Sequence, residues 1–366
     1  MTKILPAAEQ RRLLDEFADA RVRHPILDRS EGRLLSVART PAGANFIWLF
    51  GPTGVGKSTL IRLAVAALES DYADQMAADP SLRPVVSMSA PAATNVFDWV
   101  EFYRVGLKEL GEPIATDHNV RARIGTSNQA RDRFARSLEL HGTRIVVVDE
   151  AGHIRAGVRD SRLDLQLNVF KSLSEQTGVL FIFAGTYELL SMRGLNSQLA
   201  RRGRDAHFPR YEADGTDFAD FRDVVVALLD HLPIEHAPSI AEEIDTLYIR
   251  TVGCIGRLKD WFTRALAEAL REGRPLDYSH LEREMPDLAS LEAAVAEVAD
   301  AEIYLRETVR QDLEIRQRLG FGLSEDELEL IEAAFEADQP EPAPKPRRKG
   351  RPGKPRPKRQ GREEAA

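Results

Sequence analysis

The sequence contains one cysteine, Cys254, in 366 residues. A single thiol excludes an intramolecular disulfide and any zinc site built from several cysteines, so we interpret Cys254 as a small buried hydrophobe. No apolar run approaches the roughly 20 residues of a membrane-spanning helix. The polar N-terminus, MTKILPAAEQ, also lacks the apolar region of a secretory signal peptide. These absences predict a cytoplasmic protein without a membrane partner.

Acidic and basic residues are unevenly distributed along the chain. Ten Lys or Arg and no acidic residue lie between Lys345 and Arg362, whereas the whole chain has a formal net charge of −8. Since this segment carries +10, the other 348 residues carry a net charge of −18. A hydrophobic content of 43% is enough for a sizeable core. We therefore expect an acidic folded body followed by a basic tail.

The stretch GPTGVGKST matches the phosphate-binding pattern GxxxxGK[ST] at every fixed position. Its glycines allow backbone N–H groups to approach a triphosphate closely. Lys57 is expected to reach the β- and γ-phosphates, and Ser58 to place its hydroxyl on Mg²⁺. The predicted nucleotide-binding residues are Gly51, Pro52, Thr53, Gly54, Val55, Gly56, Lys57, Ser58 and Thr59.

The residues around this loop alternate between β-type and helical patterns. The apolar run Phe46–Phe50 predicts a buried strand entering the loop, and a helical pattern leaves it near Lys57. Further β-type runs occupy Pro84–Ala90, Arg144–Glu150 and Val179–Thr186. Such alternation predicts a parallel sheet covered by helices, hence an α/β fold.

The pattern changes again after the last of these runs. We predict an N-terminal helical segment and linker at 1–45, an α/β core at 46–212, a helical lid at 213–275, an acidic helical extension at 276–336, and a basic tail at 337–366. The tail has too much proline and charge, and too few apolar residues, to fold alone. It is therefore predicted to be disordered.

A second chemical motif follows the run IVVV, which ends in Asp149 and Glu150. A carboxylate at the carboxyl end of a strand beside the phosphate loop is placed to hold Mg²⁺, and the next one to polarise the attacking water. We assign the metal to Asp149, with Ser58, and the water to Glu150. Thr186 ends the next strand and is interpreted as a polar sensor of the γ-phosphate; alternatively, it only closes that strand.

Two groups of arginines are further candidates. Arg201, Arg202 and Arg204 come at the end of a helical pattern, where one could act as an arginine finger on the γ-phosphate held by a neighbouring subunit. The alternative is that they interact with the carboxyl end of a helix dipole. Arg257 begins a helix of the lid, where it either senses the phosphates or forms a surface ion pair.

The chain resembles the AAA+ ATPases, and within them the transposition regulators of the TniB/TnsC type. The resemblance rests on RVRHPIL, GPTGVGKST, VVVDEAGHI, NVFKSLSEQTGVLFIFAGT, QLARR and GCIGRL, in that order. It implies a three-layer P-loop core with a helical lid, which binds ATP and assembles as a ring or helical filament on duplex DNA. It also implies partners: a transposase, and a target-selection protein or guide-RNA complex. ATP hydrolysis would disassemble or reset the assembly.

Several roles follow from position in the family pattern. Arg202 is similar to the arginine finger, Thr186 to the first sensor and Arg257 to the second sensor. Pro25 and Ile26 lie where such proteins contact the adenine. The resemblance therefore implies catalytic roles for Arg202 and Thr186, in addition to Glu150. It implies ATP contacts for Arg257, Pro25 and Ile26.

The chain departs from the family at one point beside the acidic pair. Related regulators often carry His or Gln directly after DEA, whereas Gly152 fills that place here and His153 follows. A single histidine after a strand is more often a packing or loop residue, so no catalytic role is carried over to His153.

Basic residues give two candidate DNA contacts. The segment from Arg121 to Ser137 contains five arginines and one acid, and either faces phosphates or forms the solvated side of an amphipathic helix. In the tail, KGRP is similar to the core of an AT-hook, which lies in a narrow minor groove; a partner-docking or merely solubilising tail is the alternative. The candidate DNA-binding residues are Arg121, Arg123, Arg131, Arg133, Lys349 and Arg351.

Two other functions remain open at this point. One is a nucleotide switch of the STAND type in signalling or defence, although no repeat or effector domain is visible in the sequence. The other is a replication-initiator or helicase-loader ATPase, which would need a folded DNA-reading helical domain after the lid. The acidic residues at 276–336 fit that role poorly.

Overall fold

The computed structural model describes residues 5–92, 96–113, 124–155, 160–193, 201–322 and 324. Five parallel strands form one sheet, in the order β2-β3-β4-β1-β5. Their bounds are β1 Phe46–Phe50, β2 Val85–Ser89, β3 Ile145–Asp149, β4 Leu180–Gly185 and β5 Gly203–His207. The predicted parallel sheet is confirmed, with β5 as an edge strand beside β1.

Helices precede, connect and follow the strands. Those of the N-terminal region and the core are α1 Ala7–Asp19, α2 Pro25–Arg39, α3 Lys57–Ser70, α4 Ala73–Ala78, α5 Trp99–Glu109, α6 Ser127–Leu140, α7 Asp160–Thr177 and α8 Glu188–Arg193. Those that follow β5 are α9 Gly215–Asp230, α10 Ser239–Glu242, α11 Ile244–Thr251, α12 Ile255–Glu272, α13 Tyr278–Arg283 and α14 Leu288–Arg318. Helices thus cover the sheet and then continue as an all-helical region.

Strand β1 lies inside the sheet, and all five of its residues are buried. Because side chains alternate along a strand, its residues divide between two faces. Ile47 and Leu49 join the core that includes α2, α3 and the helices after β5. Trp48 stacks on Phe183 of β4 with ring centroids 5.1 Å apart, on the opposite face. Burial on both faces explains why this strand is continuously apolar.

Helix α2 forms most of the segment that the sequence suggested as a linker. His24 caps its first turn by accepting a hydrogen bond from the backbone N–H of Leu27, and Pro25 occupies the first helical position, where a missing N–H costs nothing. Ile26, Leu27 and Leu34 are buried in the main core. The residues before β1 are therefore part of the folded body.

The helices after β5 differ in length. Within the predicted helical lid, the stretch SIAEEIDTLYIRTV forms two helices, α10 and α11, separated at Glu243. Helix α12 is a single amphipathic helix that ends at Gly273, which adopts a left-handed conformation with φ 64°. Trp261 of α12 is fully buried and donates a hydrogen bond from Nε1 to the carbonyl oxygen of Leu281 at 2.8 Å.

The chain divides into two compact units, Met1–Ala301 and Glu302–Ala366. In the second unit, the described residues continue α14 to Arg318 and end in a turn at Leu319 and Gly320. Within the described parts of both units, no helix combines the length and apolar character needed to cross a membrane. The phosphate-binding loop, the acidic pair and the lid residues that contact the loop all lie in the first unit.

Candidate functional site

The phosphate-binding loop joins the carboxyl end of β1 to the start of α3. Gly56 caps that helix with φ 113°, a backbone conformation that L side chains rarely adopt. Lys57 is the first residue of α3, and its Nζ donates to the carbonyl oxygens of Gly51 and Pro52, at 2.9 Å each. The loop therefore folds around the lysine that is expected to reach the phosphates.

Burial lowers the pKa of Lys57, while nearby acidic groups, first among them Glu297 and then Glu150, act in the opposite direction. The lysine lies in a pocket where desolvation disfavours its charged form unless a negative group compensates. A phosphate would be such a group, since it provides both charge and hydrogen-bond acceptors. The electrostatics of the loop thus fit an anionic ligand.

The predicted metal ligands lie next to each other. Ser58 donates a hydrogen bond from Oγ to Oδ2 of Asp149 at 3.2 Å, which brings two oxygens of the kind preferred by Mg²⁺ together at the loop. Within the described ranges, no cluster of three or more His, Cys, Asp or Glu side chains is arranged to hold a metal. The donor set fits Mg²⁺, which commonly binds through one or two protein groups, waters and substrate phosphates.

Glu150 follows at the carboxyl end of β3, in an unusual backbone conformation. Its φ is 53°, uncommon for a residue other than glycine, and its backbone N–H donates to Oδ1 of Asp149 at 2.9 Å. Its side chain is exposed and lines an open depression together with Thr186 and Glu188. The structure thus brings Glu150 and Thr186 to one edge of the sheet, beside Asp149.

Gly152 and His153 lie in the turn Ala151–Arg155 at the rim of this depression. A side chain at Gly152 would begin 2.8 Å from Oε2 of Glu188, so a larger residue there requires this carboxylate to shift. His153 has Nδ1 at 3.3 Å from the carbonyl oxygen of Ala90, beyond the end of β2. The histidine therefore contacts the backbone of a neighbouring loop, in agreement with a packing role.

Arg201, Arg202 and Arg204 lie near the amino ends of β1 and β5, at the end of the sheet opposite the phosphate-binding loop. Arg202 directly precedes β5, whose first residue pairs with Phe46 at the start of β1. It donates from Nη1 to Oδ1 of Asn45 at 3.1 Å and also forms an ion pair with Glu175. Five strand residues separate this edge from the loop, which corresponds to about 16 Å at about 3.3 Å per residue. The arginine does not reach the phosphate loop of its own subunit.

An open basic depression surrounds that arginine. Its lining includes Lys171, Arg201, Arg202 and Arg204, together with the backbone turn before β1. Arg201 and Arg204 are exposed, and Arg202 is partly buried. The concentration of positive charge makes this edge suited to a negatively charged ligand or surface.

A small cavity of about 70 Å³ lies between the N-terminal segment, the loop and the lid. Pro25 and Ile26, the two residues expected at the adenine, are not among its lining residues: Pro25 is exposed and Ile26 is buried in the core. The side chains that do line it from the N-terminal side include Val22, His24 and Leu27. The N-terminal segment thus lines this cavity through residues other than Pro25 and Ile26, whose expected contact with adenine stays a prediction.

His24 is buried at this cavity and makes two polar contacts. Its Nδ1 accepts from the backbone N–H of Leu27 at 3.3 Å and lies 2.9 Å from the hydroxyl oxygen of Tyr211. Burial lowers the pKa of His24 to about 4. The imidazole is consequently neutral in the folded protein at neutral pH.

The free energy of unfolding should rise with pH between about 4 and 6.5. In this range the unfolded chain protonates a histidine of ordinary pKa, whereas folded His24 stays neutral, so lowering the pH favours unfolding. Between about pH 7 and pH 5 we expect His24 to account for a loss of about 2 kcal/mol in the free energy of unfolding, measured by urea denaturation.

The control is His24→Asn, which keeps an acceptor for the backbone N–H of Leu27 but does not titrate. The free energy of unfolding of this variant should therefore depend less on pH. Burial also lowers the pKa of His207 to about 4, which leaves a residual slope. An unchanged slope in the variant would contradict this account.

The lid contacts the loop directly through the start of α12. The backbone N–H of Arg257 donates to the carbonyl oxygen of Gly54 at 3.0 Å. A Cβ on Gly256 would lie 2.4 Å from the same oxygen, so a side chain there would force the two segments apart. The guanidinium of Arg257 extends to Ser290 of α14, with Nη2 at 3.2 Å from Oγ. The structure thus brings Arg257 to the loop by its backbone.

Two of the six candidate DNA residues, Arg131 and Arg133, lie in described parts of the chain. Arg131 of α6 donates from Nη2 to Oγ of Ser172 on α7 at 2.8 Å, so part of its guanidinium is used within the fold. Arg133 is exposed on the same helix. The other four candidates, Arg121, Arg123, Lys349 and Arg351, lie outside the described residues. Helix α6 is amphipathic, with Ala130, Phe134 and Leu138 buried and Arg133 exposed, and both interpretations of its arginines stay open.

A family model described as "Bacterial TniB protein" matches residues 17–213, more than half of the chain. The chain belongs to the TniB family. Its core is an ATPase module of the AAA+ type, as the resemblance in sequence implied. The matched range extends from α1 to just after β5, so it includes the loop, Asp149, Glu150, Thr186 and Arg202.

Solved structures similar to this TniB-family chain include two proteins of Aeropyrum pernix and one of Thermotoga maritima. The ORC2 protein of Aeropyrum pernix, in ADPNP and ADP complexes, has 16% identity and a TM-score of 0.49, covering 92% of this chain and 86% of that one. The ORC1 protein of the same organism, in complex with DNA, has 20% identity, a TM-score of 0.47, and coverage of 82% and 72%. Domain III of Thermotoga maritima DnaA has 14% identity, a TM-score of 0.45, and coverage of 74% and 94%. No curated protein sequence matches the chain. At these identities and TM-scores, the neighbours say nothing about ligands or partners of the TniB-family chain.

Proposed function

We propose that this TniB-family ATPase regulates DNA transposition in the cytoplasm. In its ATP-bound state it oligomerises on duplex DNA as a ring or filament, and links a target-selection protein or guide-RNA complex to a transposase. Hydrolysis of ATP then disassembles or resets the assembly. Membership of the TniB family supports the transposition part of this proposal.

The proposal that the protein oligomerises rests on the distance between Arg202 and the phosphate-binding loop of the same subunit. Arg202 lies at the amino ends of β1 and β5, and the loop Gly51–Thr59 follows the carboxyl end of β1. An arginine at that edge acts on a γ-phosphate only if another subunit presents its loop there. Nucleotide binding and subunit contact are then one event, because ATP lies between the two surfaces.

Within one subunit, the loop side of the site binds and positions the nucleotide. Lys57 would neutralise the β- and γ-phosphates, and Ser58 and Asp149 would hold Mg²⁺. The metal supplies Lewis-acid stabilisation of the phosphoryl oxygens when bound. Glu150 orients the attacking water and accepts its proton, while Thr186 hydrogen-bonds the γ-phosphate or the water.

Contact with DNA is assigned to the basic tail and to exposed arginines such as Arg133. The tail carries ten cations in a segment without acidic residues, whereas the rest of the chain is acidic. If every one of them met a phosphate, the logarithmic salt dependence of DNA binding would steepen by up to about nine units. We also propose that the helical lid at 213–275 is followed by an acidic helical extension at 276–336, which precedes this tail.

Assembly should depend on both ATP and duplex DNA. We expect rings or filaments by negative-stain imaging with DNA and ATP or a non-hydrolysable analogue, and faster ATP hydrolysis with DNA than without it. Lys57→Ala should abolish both results, because its loop no longer holds the phosphates. If wild-type protein formed no higher-order species in ATP and DNA, the assembly function would be wrong. If ATPase activity were the same with and without DNA, the nucleotide site would not be coupled to nucleic acid.

A further inference from the structure

Helix α14 passes across the nucleotide site. Ala294 and Val298 of this helix are buried against Val252, which ends the short lid helix α11, and Leu291 packs against the same cluster. These apolar contacts seat residues 288–301 on the lid. The polar residues between them are thereby directed at the loop and at Arg257.

Glu297 places its carboxylate on the third residue of the phosphate loop. Oε1 and Oε2 accept from the backbone N–H of Thr53 at 3.2 and 3.4 Å, and Oε1 also accepts from the Thr53 hydroxyl at 3.3 Å. One carboxylate thus takes the backbone donor and the hydroxyl donor of this residue. An anion held by the loop backbone is the type of contact that the loop is built to make with phosphate.

The same helix also holds the guanidinium of the lid arginine. Nη2 of Arg257 donates to Oγ of Ser290 at 3.2 Å and to its carbonyl oxygen at 3.4 Å. Glu297 and Ser290 are seven residues apart, two turns along one face of a helix. A single docked helix therefore engages both the loop and the side chain predicted to be the second sensor.

Glu297 further acts on Lys57 through space. Burial lowers the pKa of this lysine, and Glu297 is the strongest of the acidic groups that favour its charged form, ahead of Glu150 and Asp149. The Glu297 carboxylate therefore interacts with the same positive charge, that of Lys57, which would stabilise the β- and γ-phosphates. A γ-phosphate brings additional negative charge to that lysine, which an ADP molecule does not.

We propose that Glu297 is a specificity-determining residue: while α14 is docked on the loop, its carboxylate favours ADP over ATP. Like charges at the same loop repel each other, and the repulsion is greater for the triphosphate because it carries more negative charge than the diphosphate. ATP consequently binds at the expense of the Glu297–Thr53 contact, and the release of α14 frees the Arg257 side chain. This inference rests on the proposed function, since it assumes that the loop binds ATP.

The test is the ratio of ATP to ADP affinity. Glu297→Gln keeps the size of the side chain and an acceptor for Thr53 but removes the charge. We expect the dissociation constant of a fluorescent ATP analogue to fall on the order of tenfold at low salt, and that of the ADP analogue by less than about threefold. Glu292→Gln is the matched control, because it removes the same charge from an exposed position of the same helix. Its affinity ratio should equal that of wild type.

A second variant tests the docking of α14 on the lid separately from the charge of Glu297. Val298→Asp removes the apolar contact with Val252 and should give a similar gain in ATP affinity, with no further gain in the double variant with Glu297→Gln. Wild-type affinity ratios in Glu297→Gln, or equal gains for both nucleotides, would overturn the role of Glu297 while leaving the ATP site intact. If neither nucleotide bound to wild type or to any variant, the proposed function itself would be overturned, and this inference with it.

Discussion

Replacing Glu150 by glutamine should leave ATP binding intact and slow ATP hydrolysis by a factor of about 10² to 10⁴. The amide still accepts a hydrogen bond from the attacking water but no longer takes its proton. Binding is preserved because the phosphate contacts of Lys57 and Ser58 do not involve this side chain. Phosphate release under single-turnover conditions measures the chemical step, and titration with a fluorescent ATP analogue measures binding.

A nearby glutamate serves as the control for that experiment. Glu188 lines the same depression and is exposed, but it follows β4 and lies beyond Thr186. Glu188→Gln should therefore hydrolyse ATP at close to the wild-type rate. Unchanged hydrolysis in Glu150→Gln would remove the role assigned to Glu150, and the loss of ATP binding would show that the variant had damaged the loop.

Replacing Arg202 by alanine should lower DNA-stimulated hydrolysis by about 10³ to 10⁵, or about 4 to 7 kcal/mol of activation free energy, as is typical for an arginine finger. ATP binding to the isolated subunit should not change, since the arginine lies at the opposite edge of the sheet from its own loop. Arg202 is bonded to Asn45 and Glu175 within the subunit, so reaching a neighbour requires these contacts to exchange. Arg201→Ala and Arg204→Ala, tested in parallel, identify which arginine acts.

Mixing two inactive variants tests whether the site is shared between subunits. Arg202→Ala retains Glu150, and Glu150→Gln retains Arg202, so an interface with one subunit of each kind has one complete site. Hydrolysis should recover in the mixture only under conditions that permit assembly. If none of the three arginine variants lost activity, or if no mixture recovered any, the finger would not lie in this group.

Much of the nucleotide site could be predicted from the sequence because it depends on residues that are close together in the chain. Gly51–Thr59 form one turn between a strand and a helix, so their pattern already fixes their geometry. Asp149 and Glu150 could be placed beside the loop because the carboxyl ends of parallel strands share one edge of the sheet. The parallel sheet and the start of α3 at Lys57 follow from the same local signals, and the structure confirms them.

Contacts between distant segments could not be predicted in the same way. Glu297 is 244 positions from Thr53, and an acidic amphipathic helix gives no indication of which glutamate will meet which backbone donor. The residues that face the cavity beside the loop could not be predicted either. Val22, His24 and Leu27 line it, whereas Pro25 and Ile26, which lie between Val22 and Leu27 in the sequence, do not. Which of these face the cavity depends on the rotation of the chain at the first turn of α2, and a motif does not encode it.

The contact between Gly54 and Gly256 has a consequence for how the protein can diverge. The two backbones approach so closely that a Cβ on Gly256 would lie 2.4 Å from the carbonyl oxygen of Gly54, and a Cβ on Gly54 would lie 2.4 Å from Cγ of Arg257. A side chain at Gly256 would therefore meet the loop backbone itself, whereas one at Gly54 would meet the Arg257 side chain and would strain a backbone with φ 79°. The two positions, 202 residues apart in the chain, thus form one close contact between loop and lid, and a side chain at either position would disturb it.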